Sequence, residues 1–298
     1  MSVDLITILG PTASGKTKIG VQLADDFNGE IISADSRQVY KRMDIGTGKD
    51  LNEFRSKNIP YHLIDIAEPT EEYNLFRFVN DFYSALDLIE SKNKIPILVG
   101  GTGLYLSAIL QSYQLPEIDS KDGTHLNTLS LEELKNLLVE LKPNQHNITD
   151  LKSRNRLIQA IQVEKSRSNL NQKAPAINSL TIGIKLTREE IKHRITKRLK
   201  HRLDGGMIDE VKGLIQKGIN WDKLNFFGLE YKFVGQYLNG EINYNDMFQK
   251  LNSAIYSFAK RQMTWFRKME REGVEINWFP PENYSDINKF VKSRLHNA

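Results

Sequence analysis

The chain has 298 residues, with 41 Lys plus Arg against 37 Asp plus Glu for a formal charge of +4 at pH 7, and 40% of its residues are hydrophobic. That length allows one large domain, or a core carrying a smaller one. With no cysteine there is no disulfide framework, thiolate nucleophile or cysteine-based metal site, and no apolar run approaches the roughly 20 residues that span a bilayer. Met1-Ser-Val-Asp4 does not resemble the charged leader of a signal peptide, so the expectation is a soluble cytoplasmic protein without a membrane partner.

In chain order, Leu5–Leu9 (LITIL) is a short apolar run that stops at Gly10-Pro11, and a helical stretch, Lys16–Phe27, follows. Glu30–Ala34 and Ile95–Val99 are further β-branched runs ending at turn or polar residues, with a helical segment, Tyr73–Ser91, between them. His62–Ile66 and Leu180–Leu186 are weaker strand candidates. Alternating strands and helices predict an α/β fold with a parallel sheet flanked by helices, and unbroken apolar strands fit a sheet covered on both faces.

The segment 115–178 departs from this pattern. A turn-rich stretch at Pro116–Gly123 leads to two amphipathic helices, near Leu131–Leu141 and Leu151–Lys165. Because a strand-like run resumes at Leu180, it is expected to be a helical insertion domain in a core made of 1–114 and 179–298. From Glu189 onward the chain is expected to be mostly helical, broken near Gly205-Gly206 and Gly218.

The small net charge hides two basic segments. Six basic residues against one acidic give Lys152–Lys173 a charge of +5, and eight against two give Lys185–Arg202 a charge of +6. Helical charge runs are commonly solvated faces, but two of them raise the odds of a polyanionic partner.

The strongest chemical signal is Gly10-Pro11-Thr12-Ala13-Ser14-Gly15-Lys16-Thr17, which fits G-x-x-x-x-G-K-[ST] after an apolar strand and at the start of a helix. In such a P-loop, backbone N–H groups and the helix N-terminus converge on phosphate oxygens. Lys16 supplies a point charge there, and the Thr17 hydroxyl can ligate Mg2+. Asp35-Ser36-Arg37-Gln38 follows the next strand, where a carboxylate can act as a general base or hold magnesium through water. Gly100-Gly101-Thr102-Gly103 follows the strand ending at Val99. No carboxylate closes that strand and Asp65 is the only rival, so the pattern favours a phosphate loop that holds a leaving group over ATP hydrolysis.

Six segments in order (GPTASGKT at 10–17, DSRQVY at 35–40, MDIGT at 43–47, HLID at 62–65, VGGTGLY at 99–105 and AKRQMTWFR at 259–267) resemble the motifs of the tRNA dimethylallyltransferases. The resemblance runs from Leu5 to about Arg267. It implies a P-loop NTPase-like core with a helical insertion, working as a monomer. The implied reaction transfers a dimethylallyl group from dimethylallyl diphosphate to N6 of adenosine 37 in the tRNA anticodon stem-loop, with Mg2+ as cofactor. It further implies Asp35 as general base, Thr102 as a positioning group that also meets tRNA, and Arg198 as a diphosphate clamp. Asp35, Ser36, Arg37 and Gln38 would surround the extruded base, because N6 cannot be attacked within the stack. Asn155, Arg156, Leu157, Ile158 and Gln159 would touch tRNA from the insertion, with Lys152, Arg154, Lys165 and Arg167 meeting phosphates.

The chain departs from the family pattern at Lys152-Ser153, at Gln159, in Asn225–Lys232, and in a shortened Ile118–Leu141, all sites that bear on tRNA grip rather than on the diphosphate end. Two alternatives remain at this point. One is a P-loop small-molecule kinase or an isopentenyltransferase acting on free adenine nucleotide, for which the basic insertion is superfluous. The other is a catalytically silent RNA-binding relative, whose expected signature is loss of Lys16, Asp35 or Thr102; all three are present.

Overall fold

The computed structural model describes residues 3–113, 126, 128–141, 154, 157–158, 160–161 and 176–296. The chain forms two compact units, one from Met1–Gln111 with Ile177–Ala298 and one from Ser112–Ala176.

The larger unit is built on a six-stranded sheet in the order β3-β2-β4-β1-β5-β6, with every neighbouring pair parallel. The strands are β1 (Leu5–Leu9), β2 (Gly29–Ala34), β3 (Tyr61–His62), β4 (Ile95–Gly100), β5 (Ser179–Ile184) and β6 (Asn277–Phe279). Helices α1 (Lys16–Asp26), α2 (Leu51–Ser56), α3 (Leu75–Ser91) and α4 (Gly103–Leu110) alternate with the first four strands. Every β1 side chain is buried. Ile6 and Ile8 share a core cluster with Ile19 and Leu23 of α1, while Leu5 and Leu9, of opposite parity, are equally buried on the other face. Burial on both faces is why these strands read as unbroken apolar runs.

Two sequence expectations need correction here. His62–Ile66 yields only the two-residue β3, because Leu63 and Asp65 take left-handed backbone (φ 62° and 57°) and the chain turns away. The C-terminal region also contributes β6, which extends the sheet beside β5. Its three residues are half-buried and form no apolar run, so periodicity gave no sign of them. A smaller adjustment concerns α3, which starts at Leu75 because the Asn74 side chain accepts the Arg77 N–H and ends the extended segment containing Tyr73.

After β5 come α6 (Arg188–Asp204), α7 (Met207–Gln216), α8 (Trp221–Phe227), α9 (Leu229–Leu238), the long α10 (Tyr244–Arg271) and α11 (Tyr284–His296). A capping box starts α6: Thr187 Oγ1 accepts the Glu190 N–H, and the Glu190 carboxylate accepts the Thr187 N–H.

The smaller unit contains α5 (Leu131–Leu141). Leu134 and Leu138 pack there with Leu126, Leu157, Ile158 and Ile161. Leu157 and Ile158 are 0% and 8% exposed. Their side chains form this unit's apolar core, so they are not exposed at its surface. Asn155, Arg156 and Gln159 lie outside the described residues.

Candidate active site

Strands β2, β4 and β1 lie side by side, so the segments leaving their C-terminal ends meet at one edge of the sheet: the P-loop after β1, Asp35–Gln38 after β2, and Gly101–Thr102 after β4. This is where parallel α/β sheets bind ligands. A pocket there is lined by Thr12, Lys16, Thr17, Asp35, Gln38 and Arg198, among others.

On the P-loop side, Ala13 and Gly15 take left-handed backbone (φ 65° and 89°), and the Ser14 N–H bonds Pro11 O at 3.2 Å. Gly10, Pro11 and Ser14 are buried, whereas Lys16 and Thr17 open α1 at the pocket. The Ser14 hydroxyl is buried and has no hydrogen-bond partner among the described residues, leaving a polar atom inside the loop able to meet a phosphate oxygen. Burial pushes Lys16 down to about 8; Asp35 and Asp50 oppose that shift, while Arg198 and Arg202 add to it.

The second basic segment is α6, and helical spacing decides which of its charges enter the site. Arg194, Arg198 and Arg202 recur every four residues and so share one face. Arg194 approaches Gly15, Arg198 donates to the Thr12 hydroxyl and lines the pocket, and Arg202 donates to Gly46 O at 3.3 Å. Burial, with Arg202 beside it, lowers the Arg198 pKa. Lys192, Lys197 and Lys200, on other faces, are exposed. The basic run is therefore part solvated face and part wall of the site.

Opposite lie Asp35, Gln38 and Thr102. Asp35 Oδ1 accepts the Arg37 N–H at 2.9 Å, and Oδ2 takes no hydrogen bond among the described residues. Thr102 Oγ1 accepts the Ser36 N–H at 3.1 Å, and the Thr102 N–H donates to Ala34 O at 3.3 Å, which fixes the β2 and β4 loops to each other. Gln38 spends part of its amide internally, accepting from Ser33 Oγ and donating to Gly48 O, both at 3.0 Å. Its second N–H and second lone pair remain for a ligand. Arg37 stacks over the exposed Phe226 ring at 4.7 Å.

Residues 43–50 form the remaining wall, and they are held by side chains far from them along the chain. Glu210 of α7 accepts the N–H groups of Asp44, Ile45 and Gly46 at 2.7, 2.7 and 2.9 Å, and the Tyr231 hydroxyl at 2.7 Å. Lys49 is 1% exposed and donates to Asp44, Asp65 and Tyr40 O. Asp65, the one rival for a hydrolase-type carboxylate, is thus held by Lys49 at 2.5 Å. Gly48 is needed for close approach, since a Cβ there would lie 1.5 Å from Arg202 Nη2. Asp50 lines the pocket as a further carboxylate, with no side-chain hydrogen bond capping α2. It was not among the residues singled out from sequence; neither were Arg202 and Glu210.

The AKRQMTWFR segment divides by burial. Lys260 and Arg261 are exposed. Gln262 is 6% exposed, accepting the Thr12 N–H and donating to Gly101 O, both at 2.8 Å. Trp265 Nε1 donates to Ser107 Oγ at 2.8 Å. Gln262 and Trp265 thus bind other parts of the core.

A P-loop facing an aspartate across one pocket at the edge of a parallel sheet defines an α/β protein of the phosphate-binding class. A family model described as IPP transferase matches residues 38–269, and one described as isopentenyl transferase matches residues 3–62. The chain belongs to the IPP transferase family. It is 52% identical over 277 residues to tRNA dimethylallyltransferase 2 of Citrifermentans bemidjiense, covering 92% of this chain and 90% of the relative. It is 48% identical over 305 residues to tRNA dimethylallyltransferase 1 of Syntrophus aciditrophicus, covering 99% of both. Its fold is similar to the full-length tRNA isopentenylpyrophosphate transferase of Bacillus halodurans, with a TM-score of 0.73 and 31% identity over 98% of this chain and 97% of the other. It is also similar to a eukaryotic dimethylallyltransferase solved acting on tRNA, with a TM-score of 0.79 and 25% identity over 98% of this chain and 78% of the other.

Proposed function

We propose that the chain transfers the dimethylallyl group of dimethylallyl diphosphate to N6 of adenosine 37 in tRNA, releasing diphosphate. The observation that carries this reading is one pocket with two chemical sides: P-loop, Lys16 and Arg198 on one, Asp35 and Thr102 on the other. Family membership favours a prenyl group and a tRNA acceptor over the alternatives considered above.

In this mechanism the loop N–H groups, Lys16 and Arg198 take up the charge that develops on the diphosphate as the allylic C1–O bond breaks. The adenine N6 lone pair forms the new C1–N bond, and the N6 proton passes to the Asp35 carboxylate, whose Oδ2 takes no hydrogen bond among the described residues. Thr102, bonded to the Ser36 N–H, holds the Asp35 loop in register with β4. Gln38 has one N–H and one lone pair left for an adenine edge.

The donor set suits magnesium. Thr17, Asp35 and Asp50 present hard oxygens around the pocket, and among the described residues no cluster of three acidic or His side chains replaces them. Mg2+ binds through one or two protein oxygens plus substrate phosphates, and when bound here it would add positive charge at the diphosphate. Arg154, Arg156 and the other charges of the basic insertion segment would meet tRNA phosphates, and the chain would act as a monomer in the cytoplasm. Among the described residues, no helix is long and apolar enough to cross a membrane.

Labelled dimethylallyl diphosphate offered with unmodified tRNA, AMP and ATP tests the acceptor. Label is expected in tRNA alone; label in AMP or ATP would move the protein to the free-nucleotide class. Asp35→Ala should lower turnover by about 10²- to 10⁴-fold with tRNA affinity within a few-fold. Turnover near the wild-type value would remove Asp35 as the base.

A further inference from the structure

The buried stripe of α10 runs Met247, Leu251, Ile255, Ala259, Gln262, Phe266, Met269. Six of these are apolar and one is a primary amide. An amide buried without partners is costly, so its partners reveal why it is there. Gln262 uses both ends: Oε1 takes the N–H of Thr12 inside the P-loop, and Nε2 gives a proton to the carbonyl of Gly101. Thr12 carries the hydroxyl that meets Arg198, and Gly101 precedes the Thr102 whose hydroxyl fixes the Asp35 loop. One side chain thus joins the diphosphate loop to the acceptor loop. The fit is close, because a Cβ on Gly101 would lie 2.5 Å from Gln262 Nε2.

We infer that Gln262 is a positioning residue that sets the spacing between the two halves of the site. What the halves hold rests on the function proposed above; the clamp is read from the bonds alone. The amide accepts and donates at once, whereas an ionised carboxylate can only accept and an apolar side chain does neither. The Thr12 N–H, already given to Gln262, points to the clamp rather than to a phosphate. The helix itself has a second attachment: Trp265 bonds Ser107 and lies against Gly103, so α10 stays docked when Gln262 is changed.

The test uses the full chain and three variants, Gln262→Met, Gln262→Glu and Trp265→Phe, with turnover corrected for folded protein by thermal melting. Gln262→Met should lower kcat by about 10- to 100-fold, the scale of a misplaced reacting pair, with KM for tRNA nearly unchanged. Gln262→Glu should approach wild-type kcat at low pH, where the protonated acid restores the bond to Gly101, and lose it as the pH rises. Trp265→Phe, a structural control on the same helix, should lower the melting temperature without changing the pH profile. Hydrogen exchange gives a readout independent of the reaction. Adding inorganic diphosphate with Mg2+ should protect both the P-loop and the 100–105 segment in wild type, but only the P-loop in Gln262→Met. The clamp is overturned if the Gln262 variants keep wild-type kcat and pH profile, or if both proteins show the same protection pattern. Absence of transfer by the wild-type enzyme in the same assay, with the exchange difference intact, would overturn the proposed function and leave the clamp standing.

Discussion

Residues 10–17 and residues 43–50 border the same pocket and are held in place by different means. The P-loop's turn is shaped locally, by left-handed backbone at Ala13 and Gly15 and a bond from the Ser14 N–H to Pro11 O that lie within the motif as it runs into α1, while Thr12 is tied to distant residues, Gln262 and Arg198. The 43–50 loop is held from a distance by the carboxylate of Glu210 on three consecutive N–H groups, by Arg202 against Gly46 and Gly48, and by Lys49 between two aspartates. Structure encoded within a few residues survives as a motif. Structure held by a helix some 160 residues away leaves only an unremarked glutamate in the sequence.

That contrast can be broken from either side. The largest effect is expected at the self-shaped loop: Lys16→Ala should cost about 10²- to 10³-fold in kcat through lost charge stabilisation, with little change in melting temperature. A loss of stability matching the loss of turnover would mean that Lys16 builds the loop rather than serving it. The remotely held loop should behave in the opposite sense. Glu210→Ala leaves three N–H groups and the Tyr231 hydroxyl without their acceptor, so we expect a loss of about 3 kcal/mol in stability by denaturant unfolding, accompanied by about a tenfold loss of turnover. Unchanged stability would show that water replaces the carboxylate there.

A third effect follows from the Lys16 pKa of about 8. Burial has lowered it, and the protonated form binds the anion. Affinity for inorganic diphosphate should therefore be full below about pH 7 and fall by up to about tenfold as pH rises from 7 to 9. Calorimetric titration across that range checks the sign, and Lys16→Arg should flatten the profile. The smallest effect is expected away from both loops. Thr187→Ala, which removes one half of the α6 capping box, should cost about 1 kcal/mol of stability and leave turnover unchanged. A marked fall in turnover would mean that the start of α6 helps set the register of its arginine face.

Several parts of the fold and site were legible in the residues for identifiable reasons. β1, β2 and β4 were readable, and β5 more weakly, because strands covered on both faces are mostly apolar. His62–Ile66 misled because its apolar residues fill a turn that brings Asp65 to Lys49. β6 was missed because three half-buried edge residues need no apolar run. The basic stretch Lys185–Arg202 was visible as charge. Helical register decided that Arg198 and Arg202 enter the site while Lys192, Lys197 and Lys200 face solvent. In the insertion, Leu157 and Ile158 sit in sequence among polar residues, and only the fold shows that their side chains are buried in the core.

By itself the sequence determined the phosphate loop, the alternating α/β order, the aspartate at the strand mouth and the family resemblance, because each is written in residues close together along the chain. Tertiary structure alone decided which distant side chains complete the site: Glu210 beneath the 43–50 loop, Arg202 against its glycines, Asp50 across from Lys16, and Gln262 between the P-loop and Gly101. These contacts join positions far apart in sequence, and an isolated Glu, Arg, Asp or Gln shows its role only when folding brings its partner within hydrogen-bonding distance.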